Sequence, residues 1–423
     1  MIVADLVVTD LAEAATLARG PVPRVGAAAT DLARIPGAAV AVAGGRFVWV
    51  GRQRALARSV RLRRGGRRLS GQGGTLVPGL VDPHTHALFA GDRAFEVPWI
   101  AAGLGYADIA RRGGGILATV RATRAARGAA LVAATGERLR RAAAWGTTTL
   151  EVKSGYALSH AGELRLLRLV PALARRTGLG IVPTFLGAHA VPPEYAGRAD
   201  AYVDLLVRRT LPIVARERLA AFCDVFCEPG YFSVAQSERL LRAALGLGLG
   251  VKVHADEFVL AGGADLAARL GARSADHLLA ASDAEFARLA RAGVTAVLLP
   301  MTAYSASPTR RAPARELVDA GVPVALGTDL GPNAWTEGLP IVLGLAVHGG
   351  RLTAAEALTA VTVNAAHAIG RPDAGIVAPG RSADFAIFPV ASADQLGYRF
   401  DARPSVVYRQ GKSVSSAELR QYI

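Results

Sequence analysis

The chain has 423 residues, 51% hydrophobic and 20% charged, with 49 Lys and Arg against 34 Asp and Glu, a formal net charge of +15. That apolar content excludes a disordered chain, the two Cys exclude a disulfide framework, and no apolar run approaches the roughly 18 residues of a membrane span. With no export signal in MIVADLVVTD either, a cytoplasmic protein is expected, of two or three domains unless a barrel of about 250 residues absorbs most of the chain.

Only Lys153, Lys252 and Lys412 are lysine, so 46 of the 49 positive residues are Arg, a bias spread over the surface like a compositional background. Ala38 to Gly51 reads as two short strands around a Gly-Gly turn, a hairpin. The densest basic run follows, Arg52, Arg54, Arg58, Arg61, Arg63, Arg64, Arg67 and Arg68. Nucleic acid would be the sharp reading of that run. The stretch has no aromatic to stack on a base and no recognition module, so it reads as a solvated connection.

From Leu76 the texture becomes apolar runs alternating with helical stretches. The runs are Leu76–Asp82, Thr147–Lys153, Ile181–His189, Phe222–Glu228, Gly250–His254, Ser274–His277, Val294–Pro300 and Val322–Asp329. Each is continuous rather than alternating, as strands buried on both faces of a parallel sheet are. Helices are predicted over Ala235–Leu245, Gly262–Leu270 and Ser282–Ala292, the last with a capping box at Ser282 and Glu285. Eight such units predict an α/β fold, a (β/α)8 TIM-type barrel over residues 76–371. Alternating segments at Ser382–Pro389 and Ser405–Gly411 predict further strands that join the amino-terminal hairpin. Both chain termini, 1–75 plus 372–423, then form a small β-sandwich.

The ends of the runs carry the chemistry. Five of the eight His stand there: His84, His86, His189, His254 and His277. In a parallel barrel all those ends share one rim, where barrel enzymes place their sites. His84 and His86, two apart, share a face and chelate a single ion; His254 and Asp329 complete three nitrogens and a carboxylate, a set suited to catalytic zinc or iron. One ion per chain is expected, Zn2+ or Fe2+/Fe3+, because the end of the fourth run has no lysine to bridge two. Lys153 is read as a supporting or packing residue, and Cys223 and Cys227 as buried small residues. Glu257 and His277, beside the metal, are candidates to orient or deprotonate the attacking water. Arg93 and Tyr156 lie in the loops after the first two runs, where a guanidinium suits a substrate carboxylate. Gly113, Gly114 and Gly115 permit close backbone approach or a flexible loop and are not a phosphate loop.

The motif PGLVDPHTH, with GGGILATVRATR, GTTTLEVKSGY, FLGAHAVP, VKVHADE, ADHL and GTDLGPN, resembles the imidazolonepropionase family of the amidohydrolase superfamily, over about Ala38 to Gly380. The resemblance implies hydrolysis of 4-imidazolone-5-propanoate to N-formimidoyl-L-glutamate in histidine degradation, and a homodimer. It implies His84, His86, His254 and Asp329 as metal ligands, Glu257, His277 and Asp329 as catalytic groups, and Arg93, Tyr156, His189, Glu257, Gly331, Asn333 and Ala334 as substrate contacts. In one departure, Gly331 stands where the family usually has Asn, removing an amide expected to touch the substrate. The alternative is a related amidohydrolase of the nucleobase-aminohydrolase type, which would release ammonia from a different heterocycle. A nucleic-acid-binding barrel would instead lose affinity steeply with salt. The expected partner is thus a small molecule, with no nucleic acid and no membrane.

Overall fold

In the computed structural model, which describes residues 1–306 and 310–414, the eight runs become eight parallel strands paired in chain order. They are β1 (Leu80–Asp82), β2 (Thr147–Lys153), β3 (Gly180–Ala188), β4 (Phe222–Cys227), β5 (Gly250–Ala255), β6 (Ser274–His277), β7 (Thr295–Leu298) and β8 (Val324–Leu326). β2, β4, β6, β7 and β8 are buried along their whole length, as expected of strands covered by helices outside and by their own side chains inside. The ring closes at the rim. Thr85 bridges Leu330, the His86 N–H donates to the Leu330 carbonyl at 2.9 Å, and the Asp329 N–H donates to the His84 carbonyl at 3.1 Å. Asp82 reinforces the seam, accepting from the Thr328 backbone N–H at 3.1 Å and from the Thr328 hydroxyl.

The predicted helices appear at Val234–Gly246, Gly263–Leu270 and Asp283–Ala292. The anticipated capping box is present, with the Ser282 N–H donating to Glu285 at 3.1 Å. Among the described residues no helix is long and apolar enough to cross a membrane.

The first apolar run divides. Thr75–Pro78 pairs antiparallel with Phe385–Phe388 in a second sheet, and only after Gly79 does the chain enter β1. A Cβ on Gly79 would lie 2.3 Å from the Thr148 hydroxyl oxygen, so the crossing needs glycine. The predicted hairpin forms from Ala38–Ala43 and Arg46–Arg52, in a four-stranded sheet with Ile2–Thr9 and Val60–Ser70. The carboxy-terminal strands, Phe385–Phe388 and Val406–Arg409, lie in the facing six-stranded sheet. Leu6, Val8, Val40, Val42 and Phe47 of one sheet pack on Leu76, Phe385 and Ile387 of the other.

One expectation is corrected here. The Arg-rich stretch is not a connection: after two short helical turns, Val60–Ser70 is an edge strand parallel to Ile2–Thr9. Its charges sit where an open edge tolerates them and discourages pairing with another chain. Alternation was masked because the side chains tucked in among the arginines are few: Val60, which is buried, and the half-buried Leu62 and Leu69.

Gly79→Ala is expected to lower stability by about 1–3 kcal/mol through overpacking. Gly246→Ala, where an added Cβ meets nothing within 4 Å, is expected to be neutral or to gain roughly 0.5–1 kcal/mol. Urea unfolding of the two variants checks the pair.

Candidate metal centre and cavity

Four ligand atoms converge at the rim. His84 Nε2 and His86 Nε2 are 3.2 Å apart, and His86 Nε2 is 3.2 Å from His254 Nε2. Asp329 Oδ1 lies 3.5 Å from His84 Nε2 and 3.4 Å from His86 Nε2. A tetrahedron with ligand bonds of ~2.0–2.1 Å has edges of about 3.3–3.4 Å, so these separations fit one zinc-sized ion. His277 also offers a ligand atom within 4.8 Å of those of His84 and His254.

The donor chemistry fits as well. His84 Nδ1–H donates to Asp276 Oδ2 at 2.6 Å, which leaves the Nε2 lone pair facing the centre. His254 Nδ1 stands 3.0 Å from Asp224 Oδ2, close enough for the carboxylate to face the ring. Burial first, then neighbouring positive groups, holds His84 and His86 well below the ordinary imidazole range, so both rings are neutral donors. Asp329 Oδ2 accepts from the Thr302 hydroxyl at 2.7 Å, which turns its Oδ1 toward the imidazoles. Burial raises the Asp329 carboxyl to about 6. A cation among these donors opposes that rise.

The backbone is unusual at the same places. Asp329 has φ 52° and His277 φ 75°, left-handed conformations that side-chain-bearing residues seldom adopt and that cluster at functional sites. Asp256, at φ 51°, is also held there: its carboxylate accepts from the N–H groups of Ala261, Gly262, Gly263 and Ala264, tying β5 to the helix that follows.

Around this centre lies a cavity of about 180 Å³. His86, His189, His254, His277 and Asp329 line one side, Arg93, Tyr156, Glu257, Gly331 and Asn333 the rest, with Phe226, Ile116 and Phe258 as apolar wall. His189 stacks on His86 with ring centroids 4.9 Å apart, and its Nδ1 is 3.1 Å from the Gly155 carbonyl. Glu257 approaches His277 Nε2 to 3.7 Å. Burial pushes the Glu257 carboxyl up to about 8, and the Asp329 and Glu228 carboxylates add to the rise. A Cβ on Gly331 would meet His86 Cβ at 3.5 Å and the Tyr156 hydroxyl oxygen at 3.8 Å, so a side chain there would enter the cavity. Ala334 is buried beside this group and is not part of the cavity wall. Lys153 is fully buried inside the barrel, and Cys223 and Cys227 are buried free thiols.

Arg93 is anchored by a residue the sequence reading passed over. Glu96 accepts from Arg93 Nε at 2.8 Å and Nη2 at 2.7 Å, fixing the guanidinium plane at the cavity wall. Glu96 Oε1 also accepts from the Gly115 N–H at 2.7 Å. A Cβ on Gly114 would lie 2.6 Å from that oxygen, so the glycine run exists to let a carboxylate reach the backbone. Asp224, Asp276, Thr302 and Glu228 were missed too. The last accepts from the N–H groups of Glu257 and Val259 at 3.0 and 2.9 Å, and so holds the loop that bears Glu257. A signal for Asp224 and Asp276 was present: both are carboxylates inside otherwise apolar runs, where an unpaired charge is too costly to keep.

Comparison with known proteins agrees with this geometry. Residues 114–415 match the family model described as the amidohydrolase family. The chain is 50% identical over 386 residues to an imidazolonepropionase of Symbiobacterium thermophilum, covering 90% of each chain. It is 46% identical over 400 residues to one of Syntrophobacter fumaroxidans, covering 94% of each. A solved adenosine deaminase from Xanthomonas campestris with bound zinc shares the fold, with a TM-score of 0.67 at 21% identity over 97% of this chain and 93% of its own.

Asp276→Asn, which keeps shape while weakening the grip on His84, is expected to weaken zinc binding by roughly 10–100-fold. Competition with a chromophoric chelator measures it.

Proposed function

The chain belongs to the imidazolonepropionase family of amidohydrolases, and from that membership we propose that it hydrolyses 4-imidazolone-5-propanoate to N-formimidoyl-L-glutamate. The observation that supports this reading best is the convergence of three imidazoles and one carboxylate on a cavity that also holds one anchored guanidinium.

His84, His86, His254 and Asp329 would hold one zinc or iron ion. Such an ion supplies Lewis acidity, lowering the pKa of water toward about 7 and polarising a carbonyl. The rest falls to the chain's own side chains. Water adds to the ring carbonyl carbon, which becomes the new carboxylate, and the ring C–N bond breaks. Asp329 takes one proton from the attacking water, Glu257 orients that water, and His277 passes the proton on to the departing nitrogen, so the proton the water loses is the one the leaving group gains. The Arg93 guanidinium, its plane set by Glu96, faces the propionate. Tyr156, His189 and Asn333 frame the ring, the expected contact Ala334 standing outside the cavity wall, and Gly331 leaves open the space its side chain would fill.

The same reading takes the protein as a cytoplasmic homodimer, with a sandwich of 1–75 and 372–423 on a barrel of 76–371. Pairing of Thr75–Pro78 with Phe385–Phe388 supports that division, although the boundary strand reaches a few residues past 75.

A turnover assay following loss of imidazolone absorbance, with and without chelator, tests the reaction; no turnover by metal-loaded protein overturns it. Ammonia release from a nucleobase with imidazolone untouched would favour the aminohydrolase alternative. Arg93→Met is expected to raise KM at least about tenfold with a smaller effect on kcat, and Glu257→Gln to lower kcat by roughly 10²–10⁴. Steady-state kinetics on both variants separates binding from proton transfer.

A further inference from the structure

Five charged side chains point into the barrel beneath the metal-facing histidines: Glu151 and Lys153 of β2, Asp224 of β4, Lys252 of β5 and Asp276 of β6. All five are completely buried. Lys153 Nζ donates to Asp224 Oδ2 at 2.6 Å, and lies 2.8 Å from Glu151 Oε2 and 3.6 Å from Asp276 Oδ2. Lys252 Nζ donates to Glu151 Oε2 at 2.9 Å and to the Pro83 carbonyl at 2.8 Å, one residue before His84.

The oxygens these lysines hold are the ones that face the histidines. Asp224 Oδ2 is 3.0 Å from His254 Nδ1, and Asp276 Oδ2 is 2.6 Å from His84 Nδ1. One ammonium group therefore reaches both carboxylates that orient imidazoles arriving from opposite sides of the site. A buried ion cluster seldom adds net stability over well-packed apolar residues, so stability alone does not account for it. Formal charge is informative: three carboxylates against two ammonium groups leave the layer at −1, and Asp329 brings the total to −2, which a single divalent ion cancels.

We propose that Lys153, seconded by Lys252, is a positioning residue of the metal centre. It clamps Asp224 and Asp276 in the orientation that presents the Nε2 lone pairs of His254 and His84 to one ion, and sets the site's charge for one divalent cation. This inference rests on the proposed metal role of those histidines. Lys153 touches neither substrate nor ion; it acts through the two carboxylates.

The test is the double variant Lys153→Met/Glu151→Gln, which removes one charge of each sign and leaves the layer's net charge unchanged. Zinc affinity by chelator competition, the absorption spectrum of cobalt-loaded protein and the thermal midpoint of metal-free protein are read together. Zinc binding is expected to weaken by about 10–100-fold with shifted cobalt bands, while the metal-free midpoint falls no further than that of Gly79→Ala. Lys153→Gln, which keeps a donor beside Asp224 without the charge, is the second variant and should fall between wild type and the double variant. Gly79→Ala itself should leave zinc affinity and cobalt spectrum unmoved. Wild-type zinc affinity and spectrum in both lysine variants would overturn the inference. Wild-type protein that takes up neither zinc nor cobalt would instead overturn the metal reading beneath it.

Discussion

The catalytic face depends on aiming imidazole Nε2 lone pairs at one point from separate strands, with the rings held out of water. Water would solvate such rings and let them rotate; here they are buried, and burial holds His84 and His86 well below the ordinary imidazole range. The cost is that every other polar atom around them needs a partner. Asp276 and Thr302 meet that need for His84 and Asp329, and Asp224 brings a carboxylate to 3.0 Å from His254 Nδ1. The seam between β1 and β8 does the same for the backbone, since the bonds that close the barrel run through His84, His86 and Asp329 themselves. Closing the fold and assembling the site are one event.

Much of this was legible in the sequence because buried parallel strands are continuous apolar runs, and their carboxyl ends collect on one side. That rule alone brings His84, His86, His189, His254, His277 and Asp329 together, as the structure does. Arg93, Tyr156, Glu257, Gly331 and Asn333 reach the same cavity from the loops. Ala334 lies behind it.

What was not legible depends on contacts between residues far apart in the chain. Nothing local marks Glu96 as the partner of Arg93 and of the Gly115 amide, since a Glu in a loop is ordinarily solvated. The split of the first run at Gly79 was hidden because both halves are equally apolar and only the pairing partner differs. The Val60–Ser70 strand was hidden for the opposite reason, its charges outweighing its alternation. In each case the deciding interaction is tertiary, and local pattern is silent about it.

The partnership of Thr75–Pro78 with Phe385–Phe388 bears on how the protein comes off the ribosome. By the time β8 has emerged at Leu326, all eight barrel strands and every proposed metal ligand but Asp329 are available. Thr75–Pro78 at that moment has only its neighbours from the first part of the chain, and its outer edge waits for a strand made at the very end. The barrel is therefore the part of the nascent chain that can close first, and the sandwich is the late step whose unpaired edge a chaperone would have to shelter during synthesis.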